Sequence, residues 1–436
     1  MNIIKLLTGC EKLEKNKEAN TNMKFPAMKK IAAQGNSRGL SLEEIQMMIT
    51  NKLADELAKS NLFGKRIGIL AGSRGIRNLQ FIIKTVISEL QHRGAEVVIL
   101  PAMGSHGGAT AAGQSALLDH YGINESALGV PIIADMTTTQ IDDIQGHPVY
   151  VASQALALDG ILPVNRVKAH TDFHSDHESG IVKMLVIGLG KRIQAEAVHQ
   201  HGLKGLQTLI PKIAAKVLDR VPLLAGIAII ENIKDETALI EVLNKENLFL
   251  KEQKLLQYSK TLLPKLPANQ LDVLIVRQMG KNISGVGIDP NITGRMRING
   301  APDEAGTARR IIVLDLTEES DGNALGIGIA DVITKQLYNK IDIEKTYLNT
   351  ITSGFLERCF IPVVAPTDER AVQIGLQTCG RVVTPDTARI MVINNTIDLA
   401  EIYISPSLCS EISSEYQLAS PDFINLFDEA GNLVWP

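Results

Sequence analysis

Short aliphatic runs ending in glycine or proline alternate along this chain with longer stretches whose apolar residues recur every third or fourth position. Arg66-Ile-Gly-Ile-Leu-Ala-Gly72 is the clearest of the short runs, and Glu96 to Leu100 is the next. Runs of this length without polar alternation predict strands covered on both faces. Between and after them the spacing predicts helices over about 79–93 and 111–121. An earlier helix, running to about residue 60, opens at Leu40-Ser-Leu-Glu-Glu-Ile with a capping-box pattern from Ser41 to Glu44. Further on, 206–218 and 244–263 read as helices around a strand at 224–230. Strands at 271–276, 310–314 and 389–393 then alternate with helices over about 327–338 and 369–380.

This alternation predicts an α/β fold of two domains, each a mainly parallel sheet flanked by helices. Leu263-Pro-Lys-Leu-Pro-Ala-Asn269 supplies two prolines and a polar end, so the boundary is placed there. The expected division is an extension over 1–24, a first domain over 25–266, a second over 267–400, and a tail over 401–436 that the pattern does not place. Ligands of such sheets gather at the carboxyl ends of the strands. The active site is therefore expected in the cleft between the domains.

Length and composition narrow the partners. A chain of 436 residues exceeds one ordinary core. A net charge of −4 and 4% aromatics supply neither a basic footprint nor stacking platforms, which argues against nucleic acid. No apolar run approaches the roughly 20 residues that cross a bilayer. Cys10, Cys359, Cys379 and Cys409 are scattered without C-x-x-C spacing, which suits reduced thiols and a cytoplasmic location.

The chemistry is concentrated between Asn165 and His201, where five of the nine histidines fall: His170, His174, His177, His199 and His201. Lys183 stands there within an apolar run, with Gly180 before it and Gly188 and Gly190 after it. Desolvation makes a lysine so placed a candidate nucleophile, and neutral imidazoles bind metals or move protons. Three strand-end features could face the same crevice. Ser73-Arg-Gly-Ile-Arg77 offers guanidinium groups for a carboxylate or phosphate. Gly104-Ser-His-Gly-Gly-Ala-Thr110 offers backbone N–H groups and His106. Gln278-Met-Gly-Lys281 repeats the theme in the second domain. Against these stand plain alternatives: a tight turn, surface arginines, a hydrated polar loop and a snorkelling lysine.

Taken in order, the motifs resemble the lactate racemase family that carries the nickel-pincer nucleotide. The resemblance runs from about residue 66 to 201 and rests on Ser73-Arg74, Gly104 to His106, His170 ahead of Ser179-Gly-x-x-Lys183, and His199 sixteen residues later. Weaker support extends through Gln278 to Lys281.

The resemblance implies that Lys183 carries the cofactor, a pyridinium mononucleotide, through a thioamide bond. His199 would then give its nitrogen to a square-planar nickel. It implies His106 and His170 as paired acid/bases and Arg74, Gln278 and Lys281 as holders of the substrate. The cofactor is expected to contact Ser73, Arg74, Gly104, Gly107 and Gly108. The implied activity is racemisation or epimerisation of a 2-hydroxy acid by reversible hydride transfer, with the cofactor made and attached by other enzymes. Gly72-Ser73 ahead of Arg74 and the His/Asp-rich loop between His170 and Ser179 depart from the lactate-specific pattern. The loop from Gly285 to Arg295 does not look like a pocket for something as small as lactate. A larger or more polar substrate is therefore expected, with His174 as a rival second base. Other readings are a metal-free Schiff-base lysine enzyme, a non-catalytic binding homologue and, last, a zinc hydrolase.

Overall fold

A computed structural model describes residues 24–34, 38–73, 75–304 and 306–435. In chain order its strands are β1 (Met28–Ala33), β2 (Arg66–Ala71), β3 (Glu96–Pro101), β4 (Thr138–Ile144) and β5 (His147–Ala152). Next come β6 (Gly160–Arg166), β7 (Gly226–Glu231), β8 (Thr237–Leu243), β9 (Val273–Met279) and β10 (Arg310–Leu316). The last are β11 (Val332–Thr334), β12 (Val363–Ala365), β13 (Ile390–Ile393), β14 (Glu401–Ile404) and β15 (Tyr416–Ile424).

The predicted α/β class holds, with parallel-rich sheets flanked by helices. A five-stranded sheet has the order β3-β2-β6-β7-β8, parallel except for the β7–β8 pair. An eight-stranded sheet has the order β12-β11-β10-β9-β13-β14-β1-β15. It is parallel from β12 to β13 and antiparallel beyond. β4 and β5 form a separate hairpin.

Why the aliphatic runs lack polar alternation is visible in the core. Leu70, Val98, Leu100 and Ile161 of the five-stranded sheet pack on one side with Ile181, Val182, Leu185 and Val198. Ile67, Ile69, Val97, Ile99 and Leu162 pack on the other with Ile45, Ile49, Leu53, Ile82 and Val86. Each such side chain is worth about 1.5–3 kcal/mol when removed from water. The helix Leu42–Glu56 begins as expected: Ser41 Oγ accepts from Glu44 N at 3.2 Å, and Glu44 Oε2 accepts from Ser41 N at 2.7 Å.

Three elements differ from expectation. The helix expected over 327–338 is a short turn at Ile327–Ile329, the strand β11 and a helix only at Lys335–Lys340. Buried Val332, Ile333 and Thr334 pair with β10 and β12, so sheet pairing overrides the local pattern. The stretch after residue 400 contains β14 and β15, and β15 pairs with β1. The segment from Met28 to Ala33 thus lies in the eight-stranded sheet although it precedes every strand of the five-stranded one.

Both sheets have a point where the chain turns from one side to the other. From β2 the chain goes to β3 on one flank and later to β6 on the opposite flank. From β9 it goes to β10 and later to β13. Crevices form at the carboxyl ends of strands at such points. Ser73 follows β2, Arg166 closes β6, and Gln278 lies near the end of β9 with Lys281 just beyond it.

Candidate functional site

The site is built where β2, β3 and β6 end. After β6 the chain forms the polar loop that holds His170, then enters a helix at Ile181–Lys183. A π-helical turn at Met184–Gly188 follows, and then the helix Lys191–His199. Turns of that wide kind are frequent at functional sites. The helix start is fixed by a carboxylate from far away. Glu252, fully buried on the helix Leu248–Thr261, accepts from Ile181 N at 2.6 Å and from Val182 N at 3.1 Å. A negative charge at a helix N-terminus satisfies orphan N–H groups and suits the dipole. Asn165, on β6, adds a bond from Nδ2 to Gly180 O at 2.8 Å.

The loop after β3 lies directly on the π-helical turn. Gly104 N donates to Gly188 O at 3.1 Å, and a Cβ on Gly188 would lie 2.6 Å from Ala102 O. Gly104 itself has φ +60°, so here glycine is required both by space and by backbone. Gly107 and Gly108 also have φ +65°, and the next helix, Ala111–His120, is capped by Thr110 Oγ1 accepting from Gly113 N. Behind this loop Gln114, fully buried, donates Nε2 to Gly104 O at 3.0 Å and to His106 O at 3.3 Å. Lys191, 2% exposed, donates Nζ to Pro101 O at 2.6 Å and to Gln114 Oε1 at 3.2 Å. Its burial pulls the amine from an ordinary 10.5 to about 8, opposed by the charge of Asp135.

These supports deliver the chemistry. His106 Nδ1 hydrogen-bonds Ser73 Oγ. Lys183 Nζ hydrogen-bonds His170 Nε2 and lies 5.7 Å from the centre of the Phe173 ring, which also stacks at 4.6 Å on His170. His170 Nδ1 accepts from Asp172 N at 3.0 Å, so the proton of the neutral ring sits on Nε2. A neutral ring of that tautomer presents Nε2–H toward the Lys183 amine. His199 ends its helix with Nδ1 buried and without a hydrogen-bond partner. Burial holds that imidazole below the usual histidine range; a charge on Lys183 pushes the same way and Asp172 opposes. A neutral, unpaired imidazole nitrogen is the form that binds a metal.

The other histidines of the loop are turned to buried glutamates. His174 Nδ1 lies 3.4 Å from Glu178 Oε1, and His177 Nδ1 lies 3.6 Å from Glu252 Oε1. Glu178 also accepts from Lys260 Nζ at 2.7 Å and from His170 N at 2.6 Å. Desolvation would raise its carboxyl, but these bonds outweigh it and hold it below the usual range.

From the eight-stranded side, Lys281 donates Nζ to Gly285 O at 2.5 Å and to Asn349 Oδ1 at 2.8 Å. Gln278, half-buried, lies three residues before it, near the end of β9. Among the described residues, Asn291 and Arg358 of that side hydrogen-bond the His170 segment, and the sequence singles out neither. Glu252, Gln114 and Lys191 were likewise not legible as parts of the site. Glu252 did leave a trace: it falls on the apolar stripe of its helix, four residues after Leu248 and three before Leu255. Arg74 lies outside the described residues. Among those described, no group of three or more His, Cys, Asp or Glu side chains stands ready to hold a metal ion by itself.

No protein-family model and no curated protein matches the sequence. Among solved structures, the chain is similar to the lactate racemase apoprotein from Thermoanaerobacterium thermosaccharolyticum, with a TM-score of 0.55 and 13% identity. The match covers 85% of this chain and 99% of that one. At this identity the likeness is one of fold: this chain is folded like that racemase over nearly the whole of the latter's length.

Proposed function

We propose that this chain is a racemase or epimerase of a 2-hydroxy acid, working with a nickel-pincer nucleotide tethered to Lys183. One observation carries the reading: Lys183 is hydrogen-bonded to His170, and the unpaired His199 is near enough to feel a charge on Lys183, in a fold shared with a lactate racemase apoprotein.

The residues present fit such a group. Lys183 offers the amine that, once deprotonated, bonds to an acyl carbon, and His170 Nε2 lies against it. His199 offers one nitrogen donor, as expected where the cofactor brings the remaining ligands of a square-planar metal. Gly108, with φ +65° and open space where a Cβ would stand, leaves backbone accessible in the loop that carries His106, whereas Gly104 and Gly107 are packed against Ile187 and Gly113. When bound, the cofactor supplies a reversible acceptor for the substrate's α-hydrogen and its electron pair.

The chain's own residues do the rest. His106 and His170 move the hydroxyl proton, one on each face of the substrate, and such acid–base help is worth roughly 10²–10⁴-fold. Ser73 orients the His106 ring through Nδ1. Arg74, Gln278 and Lys281 hold the carboxylate and hydroxyl. Phe173, fully buried, walls off one side of His170 and Lys183 from water.

The amine of Lys183 beside His170 Nε2 also favours a second reading, a metal-free lysine that forms a Schiff base with a carbonyl substrate. One experiment separates the two. The chain is co-expressed with cofactor-making enzymes, and nickel content and the mass of the Lys183 peptide are measured, followed by chiral analysis of 2-hydroxy acids. Nickel and a cofactor-sized mass on Lys183 support the racemase. A folded protein that gains neither, but is trapped by borohydride with a carbonyl compound, overturns it in favour of the second.

A further inference from the structure

His170 stands on a loop of the five-stranded sheet, yet its peptides are held from the eight-stranded side. Asn291 Nδ2 donates to His170 O at 3.2 Å and is itself fixed by Asp289 Oδ1 at 2.8 Å. Arg358, in the turn Leu356–Cys359, donates Nη2 to Thr171 O at 2.9 Å. Thr171 C=O and Asp172 N–H are the two ends of one planar peptide unit. The N–H end of that unit is the donor to His170 Nδ1 at 3.0 Å.

Gripping the oxygen therefore aims the hydrogen. A guanidinium on the carbonyl also draws charge toward itself and strengthens the N–H as a donor. Arg358 acts a second time on the rival partner of Nδ1. The Asp172 carboxylate, which would favour a proton on Nδ1, lies 3.9 Å from it, beyond hydrogen-bond range. Its other oxygen is 3.6 Å from Arg358 Nη1.

We infer that Arg358 is a positioning residue for His170: through the 171–172 peptide it fixes the ring as the Nε2–H tautomer and aims that N–H at Lys183. Stability alone does not account for the residue. Arg358 is 1% exposed, and its Nε and Nη1 have no hydrogen-bond partner. A guanidinium buried with donors unpaired destabilises a fold. Its effect is on geometry.

The importance of the tautomer for catalysis rests on the function proposed above, but the tautomer itself does not. It is read on the chain without cofactor, by long-range proton–nitrogen correlation of ¹⁵N-histidine-labelled protein, with His170→Gln assigning the ring. Wild type is expected to give the Nε2–H pattern. Arg358→Met is expected to give a mixture of both tautomers. Should that variant not fold, Arg358→Gln, whose shorter amide does not reach Thr171, is read in its place with the same expectation. Asp172→Asn keeps the peptide N–H and is expected to keep the wild-type pattern. An unchanged pattern when Arg358 is replaced, or its loss in Asp172→Asn, overturns the inference. Either result is independent of whether the chain takes up nickel.

Discussion

Glu252 holds its carboxylate where a methyl group on Gly180 would have to go. A Cβ at Gly180 meets Glu252 Cδ at 2.6 Å and both carboxylate oxygens at 2.7 Å. With φ 174° the glycine's backbone is extended, a conformation open to any residue, so space alone demands glycine here. Gly180→Ala should lower the unfolding free energy by about 1–3 kcal/mol. Glu252→Ala should cost a similar amount, about 1–3 kcal/mol, by orphaning Ile181 N and Val182 N. Because the clash vanishes with the carboxylate, the double variant should cost less than the sum, by about 1 kcal/mol or more. Denaturant unfolding of the four proteins measures this, and strict additivity would contradict it.

Lys191 predicts an alkaline gain in stability. Its amine titrates at about 8 when folded and near 10.5 when unfolded. Between those values the unfolded chain binds more protons, so stability rises with pH across that window, and the penalty is fully present below it. From about pH 7 to about pH 10, wild type should gain roughly 2 kcal/mol relative to Lys191→Met. Paired urea titrations at the two pH values test the sign.

On the proposed function, removal of the His199 side chain should strip the nickel and spare the fold. In protein loaded with cofactor, His199→Ala should lower nickel affinity by at least about an order of magnitude, as loss of a ligand does. The cofactor-sized mass on Lys183 should remain. Since burial keeps this imidazole neutral below the usual histidine range, nickel retention in wild type should persist on acidification past the midpoint of an ordinary histidine. Metal analysis after dialysis reports both.

Glu178 should contribute acid sensitivity. Its folded value is depressed, so the stability it adds is present above the unfolded value and is lost as pH falls through the folded one. Glu178→Gln should cost about 1–3 kcal/mol at neutral pH, since Lys260 is partly exposed and screened, and the difference from wild type should shrink in acid. Unfolding curves at neutral and acid pH give the comparison.

The α/β class and the strand-end loops were legible because aliphatic runs and glycine turns are local patterns. So was the grouping of His170 and Lys183, thirteen residues apart on one loop and helix. The supports were not. Glu252 reaches Ile181 across 71 residues, Lys191 reaches Pro101 across 90, and Arg358 reaches Thr171 across 187. Each reads in sequence as an ordinary helical or turn charge, because only the fold decides which charges are buried. The hairpin β4–β5 and the antiparallel strands β14 and β15 were missed for a related reason. β15 is mostly exposed and carries little apolar signal, and its register is set by β1, nearly the whole chain length away.

That pairing makes the beginning of the sequence a keystone for its end. β1 fills the gap between β14 and β15, so trimming the chain past Ala33 would open the far edge of the larger sheet while leaving the smaller sheet's strand ladder intact. The backbone also passes twice between the sheets, once after β1 and once before β9. Two tethers restrict how one sheet can swing against the other. A nick in either would leave a single tether between the side that carries Asn291 and Arg358 and the His170 loop that they hold.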